Sequence, residues 1–327
     1  MPGMNSIFRS IWVFPALVLA FGMTVADELS EYVARVRILS WNISDDSFVT
    51  HPAEFRALVL RANADVLLLD EVSPLADIDR LNDVIANLRS KDDEPWHVSV
   101  GASGGRQRNV IASRAPQESL PEFSSIIPYP EADRLVIKEQ MSPRARSNPG
   151  WSMDNGIPVN GALILSNDRR LLAVSADLQC CGGDHESWQE YRRRVEVREI
   201  RRRIRDVLAR TPVDGIVLAG DFNSVNTNIP LVILMGPYDP PNASLIPAEI
   251  YHLDGSTAWT WDGRGTPFPS SALDYQLYSP QSLRVRKGFI VDSEDFLSEE
   301  LADLGLQPET SSQLSNHRSL VVEYTWH

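Results

Sequence analysis

Short apolar runs of strand length, each handing over to a polar side chain, constrain this chain more than any other feature of its sequence. Val36 to Leu39 closes on Ser40-Trp41-Asn42, and the continuous run Val66 to Leu69 closes on Asp70-Glu71. Ile216-Val217-Leu218 leads into Gly220-Asp221-Phe222-Asn223, Ala272 to Leu277 carries Asp274, and Ser315-Asn316-His317 precedes Ser319 to Val322. Runs of this length and composition read as buried strands.

Helical periodicity fills the gaps. The expected order is strand 35–41, helix about 52–63, strand 65–70, helix about 75–90, then strands near 96–101 and 108–113. Such alternation marks an α/β fold. Residues 116–158 are rich in Pro, Ser and Arg, with only Leu135-Val136-Ile137 strand-like, and read as long surface loops. Loops of that length inside a domain are often functional. Strands at 161–165 and 171–178 precede an amphipathic helix from about His185 to Ala209. Trp188, Tyr191, Val195, Ile200, Ile204 and Leu208 share one face of it, leaving Arg192 to Arg194, Arg198 and Arg201 to Arg203 as a solvated charged face. Glu190 with Arg194, and Glu199 with Arg203, are spaced for helical ion pairs.

The stretch from Asp221 to about Pro269 is irregular and could overhang a site. Trp259, Trp261 and Phe268 within it have the chemistry to stack on bases or enter a lipid surface, although packing inside their own loop is the plainer reading. No repeat of fixed period occurs, and about 300 residues suit one large α/β domain.

A formal net charge of −13 disfavours a non-specific grip on polyanions. It does not exclude a nuclease, because a local groove and bound cations can dominate a small site. The only cysteines, Cys180 and Cys181, are neighbours. Adjacent Cα atoms lie about 3.8 Å apart, below the usual disulfide range, so a bridge between them would be strained. Two small thiols in a turn is the simpler expectation. At the N-terminus, Arg9, the apolar stretch from Ile11 to about Phe21 and Thr24-Val25-Ala26 form a secretory signal-peptide pattern with cleavage after Ala26. Pro15 interrupts that stretch, which is shorter than the roughly 20 residues of a membrane span. The expectation is therefore a signal peptide over 1–26, a domain over 27–327 without a transmembrane segment, and export, periplasmic or secreted.

The order Asn, Glu, Gly-Asp-x-Asn, Leu-Asp-Tyr, Ser-x-His resembles the endonuclease/exonuclease/phosphatase superfamily, with its deoxyribonuclease-like fold, over nearly all of the chain after residue 34. The resemblance implies a four-layer α/β/β/α sandwich of two mixed β-sheets, with the motif residues converging at one edge. It also implies a divalent-metal-dependent phosphoester hydrolase using Mg²⁺ or Mn²⁺, a phosphodiesterase or nuclease before a phosphatase. The substrate would be a phosphoester, with nucleic acid and phospholipid head groups both open; oligomeric state is not legible.

Carried over residue by residue, Glu71 is the expected metal ligand, and Asn42 would support the metal or contact phosphate. Asp221 would orient or deprotonate the attacking water, and Asn223 would donate to the phosphate. His317 would act as general base or charged donor, with Asp274 fixing its far nitrogen. Two departures stand out. Asn316 replaces the acid usual before this histidine, keeping a metal-side carbonyl oxygen but no charge. Asp177 replaces a phosphate-binding histidine and would add a carboxylate to the substrate site, with His185 as a substitute donor. The rival reading is a non-catalytic binding protein on the same sandwich with a degenerate metal site. A zinc site is poorly supported, because the histidines lack close ligand spacing.

Overall fold

A computed structural model describes residues 34–327 except 46, 74–77, 89–94, 106, 167 and 238–243. The signal peptide expected over 1–26, and parts of the helix expected over 75–90, lie outside the described residues.

Two six-stranded sheets pack face to face. The first sheet holds β1 (Arg35–Asp45), β2 (Val66–Val72), β3 (His97–Val100), β4 (Arg108–Ser113), β11 (Leu283–Val291) and β12 (Ser319–Trp326), in the order β11-β12-β1-β2-β4-β3. The second holds β5 (Gln117–Ser119), β6 (Val159–Ser166), β7 (Arg169–Ala176), β8 (Gly215–Asp221), β9 (Ile246–Pro247) and β10 (Asp274–Tyr278), in the order β5-β6-β7-β8-β10-β9. Each sheet has one parallel pair near its centre, β1 with β2 and β7 with β8, and is otherwise antiparallel. A parallel pair needs a crossover, which is supplied by α1 (Pro52–Ala62) in one sheet and by α4 (Trp188–Leu208) in the other.

Strand alternation divides the core into three layers. Val36, Ile38, Val66, Leu68, Ala173, Val217 and Ala219 lie between the sheets. Leu39, Trp41, Leu67 and Leu69 turn the other way, onto Phe55 and Leu58 of α1 and Leu81 and Ile85 of α2 (Ile78–Ala86). Leu172, Val174, Ile216 and Leu218 pack on Val195, Ile200 and Ile204 of α4. The result is the four-layer α/β/β/α sandwich.

Three expectations need correction. Leu135-Val136-Ile137 belongs to a helix, α3 (Glu131–Gln140), whose first turn carries Glu131 and Asp133 and whose last turn carries Lys138. Those end charges favour a helix, and only Ile137 of the three apolar residues is buried. On α4 the arginines are not all outside. Arg193 is fully buried against Glu190 at 3.0 Å, and Arg192 is buried against Glu196 at 2.9 Å and the Tyr129 hydroxyl at 3.0 Å. The Glu190–Arg194 pair forms at 3.0 Å, whereas Glu199 takes Arg202 at 2.7 Å instead of Arg203. Finally, Leu283–Val291, which the sequence reading leaves unassigned, is an edge strand whose Arg284, Arg286 and Lys287 mask its periodicity. The irregular stretch after Asp221 also contains a short helix, α5 (Ile229–Met235).

Candidate active site at the strand ends

The rows of side chains facing the space between the sheets are apolar along most of their length and turn polar at one end. In β1 the even positions Val36 and Ile38 give way to Ser40 and Asn42; in β2 Val66 and Leu68 give way to Asp70. In the second sheet Ala173 leads through Ser175 to Asp177, and Val217 and Ala219 lead to Asp221. On β10, Gln276 and Asp274 are both buried, and the Gln276 amide donates to the Ile38 and Leu320 carbonyls of the facing sheet. Period-two alternation thus delivers polar groups from separate strands to one place, at the carboxyl ends of both parallel pairs. Gly220 is required for this convergence. Its φ is +136°, and a Cβ there would lie 2.0 Å from the Ala176 carbonyl oxygen, so no side chain fits where β8 crosses β7.

His317 lies at the centre. Its Nδ1 donates to Asp274 Oδ2 at 2.9 Å, and its Nε2 stands 3.7 Å from Asp221 Oδ2. Thr260 clamps Asp274: its hydroxyl donates to Oδ2 at 2.6 Å and accepts the backbone N–H groups of Leu273 and Asp274, each at 2.9 Å. The Trp41 indole N–H donates to the His317 carbonyl at 3.0 Å, and the His317 N–H donates to Ser315 Oγ at 2.9 Å. Burial works against charge on this imidazole, but the carboxylates of Asp274 and Asp221 outweigh it and push its pKa up to about 10. At neutral pH that shift favours the imidazolium, with both ring nitrogens protonated.

Asp221 is held at both oxygens. Oδ1 accepts the Asn223 N–H at 2.9 Å, and Oδ2 accepts the Asn42 amide at 3.3 Å. Burial raises its pKa to about 7; the nearby imidazolium opposes the rise, and Asp274 adds to it. Asn223, in a left-handed conformation with φ 47°, donates from its amide to the Leu178 carbonyl at 3.0 Å. Asn42 Oδ1 accepts the Ser44 N–H at 3.2 Å, which leaves its second lone pair.

Further acids crowd the same space. Glu71, at φ 52°, is half-buried and accepts from the Gln107 amide at 3.3 Å. Asp177 is 1 % exposed, and neither of its carboxylate oxygens has a hydrogen-bond partner among the described residues. Burial, then Glu71, Asp221 and Asp70, push its pKa well above the carboxylate range. Asp70 is fully buried; Oδ2 accepts the Asp221 N–H at 3.2 Å, while Oδ1 has no partner among the described residues. Burial, then Asp274 and Asp221, raise its pKa well above the usual range too.

Asn42, Asp177, Asp221, Asn223, Asp274 and His317 are therefore brought together in the buried layer, with Glu71 beside them. Asn316 sits on the exposed side of the same loop, with its carbonyl accepting the Asp262 N–H at 2.7 Å. His185 is 70 % exposed on the turn before α4, 3.6 Å from Asp184 and 4.0 Å from Glu186. Trp259 packs on His252, with ring centroids 4.4 Å apart, and lies under the Arg318 guanidinium; Phe268 is 66 % exposed.

From the sequence alone, no role is assigned to Asp70, Thr260, Ser315 or Arg318. Asp70 is overshadowed by the acid after it, and Thr260 by its two tryptophans. Ser315 Oγ donates to the Asn42 carbonyl at 2.7 Å, tying the β1 end to the histidine loop. The fully buried Arg318 fixes that loop by donating to the Ser315 carbonyl at 3.0 Å, Asp292 at 2.6 Å and Asp262 at 2.8 Å. The signal for Arg318 is the arginine directly after the Ser-x-His motif and before an apolar strand.

The donor set suits a hard divalent cation. Unpartnered buried carboxylate oxygens on Asp177 and Asp70 beside Glu71 and Asp221 are oxygen ligands in want of positive charge. Among the described residues, Asp221, Asp274 and His317 form the one group whose ligand atoms already lie within 4.8 Å of one another.

A two-sheet sandwich thus gathers an Asp–His pair and clustered acids at its strand ends. The chain belongs to the Endonuclease/Exonuclease/phosphatase family, whose model matches residues 39–317. No curated protein matches it in sequence. Among solved structures it is similar to an endonuclease/exonuclease/phosphatase from Bacteroides vulgatus, at 15 % identity and TM-score 0.55, covering 90 % of this chain and 99 % of that one. The human Nocturnin catalytic domain with bound sulfate anion is similar at 16 % identity and TM-score 0.51, over 90 % and 94 %. D. rerio TDP2 complexed with single strand DNA product is similar at 13 % identity and TM-score 0.52, over 89 % and 99 %.

Proposed function

We propose that this chain is an exported, divalent-cation-dependent phosphodiesterase that hydrolyses a P–O ester bond at the His317–Asp274–Asp221 cluster. The carrying observation is the buried His317–Asp274 pair at 2.9 Å, set 3.7 Å from Asp221. The imidazolium has one N–H tied to Asp274 and presents the other, on Nε2, to a phosphoryl oxygen whose charge grows in the transition state. Asp221, with a pKa near 7, takes a proton from the attacking water at neutral pH. The water oxygen bonds to phosphorus, and the ester oxygen departs with the electron pair of the broken bond. Asn223, fixed by its bond to Leu178, keeps a second amide hydrogen for the phosphate.

Glu71, Asn42 and Asp177 would hold the cation, Mg²⁺ or Mn²⁺, and Asp177 supplies the charge that Asn316 lacks. When bound there, such a cation would supply positive charge to offset the charge growing in the transition state. The neighbour holding a single strand DNA product favours the diester side of the family, and the leader pattern at residues 1–26 favours export. Among the described residues, no helix is long and apolar enough to cross a membrane.

The test is hydrolysis of bis-p-nitrophenyl phosphate against p-nitrophenyl phosphate with Mg²⁺, Mn²⁺ or chelator. Metal-dependent cleavage of the diester that disappears in Asp221→Ala is expected. Preference for the monoester would instead make the protein a phosphatase, and inertness toward both compounds and toward DNA, RNA and sphingomyelin would make it a binding protein.

A further inference from the structure

The two cysteines have no part in the chemistry above, yet they lie on the loop that carries Asp177 and Leu178 away from β7. Both are free thiols; Cys181 is exposed, Cys180 is half-buried, and their sulfurs are 2.7 Å apart. Cys181 adopts a left-handed conformation, φ 70°, followed by Gly182 at φ 72°. A non-glycine residue in that region persists only where its surroundings hold it.

What holds it here is Arg193. This buried guanidinium donates to the carbonyls of Gln179 at 2.8 Å, Cys181 at 2.7 Å and Gly182 at 3.2 Å, and is itself anchored by Glu190 at 3.0 Å. The Gln179 N–H is fixed by Glu196 at 2.8 Å. Directly before it, Leu178 donates its N–H to the Asp221 carbonyl at 2.9 Å and accepts the Asn223 amide at 3.0 Å. One clamp thus serves both the thiol pair and the segment that supports Asp221 and Asn223.

We propose that Cys180 and Cys181 are a thiol–disulfide exchange site that a low-molecular-weight disulfide oxidises to a vicinal bridge, and that closing the bridge loosens the Arg193 clamp beneath Asn223. The Cys181 sulfur attacks the small disulfide, forming a mixed disulfide and expelling one thiolate. Cys180 then attacks the Cys181 sulfur, forming the protein bond and expelling the second thiolate. The small disulfide is reduced to two thiols, and two protons leave the protein. Cys181 suits the attacking role, being the more exposed sulfur, and the hydrogen bond from Cys180 draws its pKa down to about 7. Bonding neighbours forces the local backbone out of its relaxed geometry, because adjacent Cα atoms sit about 3.8 Å apart against the usual 4.4–6.8 Å. Strained, exposed disulfides of this kind are readily reduced, which makes the bridge reversible. The carbonyl most directly displaced is that of Cys181, the shortest arm of the Arg193 clamp.

The experiment incubates the reduced protein with oxidised glutathione and follows intact mass, amide hydrogen exchange and, if the reading of the site holds, turnover. The expected product is a species lighter by about 2 Da, two hydrogens, with no glutathione retained. Exchange at residues 178–183 and 221–223 should quicken, and diester turnover should fall at least about fivefold and return with dithiothreitol. Cys180→Ser should match the reduced wild type in activity but stop at a stable glutathione adduct on Cys181. A stable adduct on the wild type, or no reaction, would overturn the exchange site. A bridge that leaves exchange at 178–183 and 221–223 unchanged would overturn the coupling, whether or not the protein proves to be a phosphodiesterase.

Discussion

Two buried clusters of charge flank the end of β7, and they are built on opposite rules. On α4 every buried charge has its counter-charge: Arg193 with Glu190, and Arg192 with Glu196, the Tyr129 hydroxyl accepting a further hydrogen bond from Arg192. At the strand ends Asp70, Asp177, Asp221 and Asp274 are buried around the single imidazolium of His317, and three carboxylate oxygens of Asp70 and Asp177 have no partner among the described residues. Unpaired buried charge is costly. Pairing on α4 does a mechanical job, holding the carbonyls of Gln179, Cys181 and Gly182 in place. Imbalance at the strand ends raises the pKa values of Asp70 and Asp177, so without added positive charge their neutral forms are favoured.

The contrast can be broken from either side. The largest effect is expected in catalysis: His317→Ala and Asp221→Ala should each lower kcat/KM by about a thousandfold or more, with circular dichroism showing the fold intact. Next comes stability. Arg193→Met removes the positive half of a fully buried pair and orphans three carbonyls, so urea unfolding should show a loss of about 3–5 kcal/mol.

Asp177→Asn should behave in the opposite way. Burial already favours the neutral carboxyl there, so the amide should change cation-free stability by less than about 1 kcal/mol at pH 6, while Mn²⁺ affinity falls roughly 10- to 100-fold. A large loss of stability in this variant would mean that Asp177 is structural.

A further effect is a slope with pH. Unfolded, the carboxyls titrate near about 4 and the histidine near about 6.5. Folded, Asp221 rises to about 7 and His317 to about 10. Between those limits the folded, cation-free chain binds more protons than the unfolded one, so its stability is fullest in mild acid and declines as pH rises toward 10. Thermal melts from pH 5 to pH 9 should show that decline, Asp177→Asn should flatten it, and saturating Mg²⁺ should reduce it by holding the carboxylates ionised.

The same contrast explains what could be read from the sequence. The strand-end motifs stood out because an acid or amide after a run such as Val66 to Leu69 interrupts a pattern that only burial explains, and the family order ties them together. Asp70 and Thr260 were hidden because their roles depend on which face of a strand, or which loop, meets which partner. The buried arginines of α4 escape a reading from periodicity for a related reason. Helical spacing assigned them to an outer face, but Glu190 and Glu196 bring them inside, and tertiary pairing cannot be read from periodicity. The short run Leu135-Val136-Ile137 looked like a strand because three residues carry too little periodicity to oppose the helix signals around it.

The most direct test of the central claim is a calorimetric titration of Mn²⁺ into the protein at pH 7, in two buffers of different ionisation enthalpy, for wild type and Asp177→Asn. If the strand-end acids await a cation, Mn²⁺ binds and releases protons from Asp177 and Asp221, and both affinity and proton release drop in the variant. No binding, or binding that releases no protons and is indifferent to Asp177→Asn, would contradict the account.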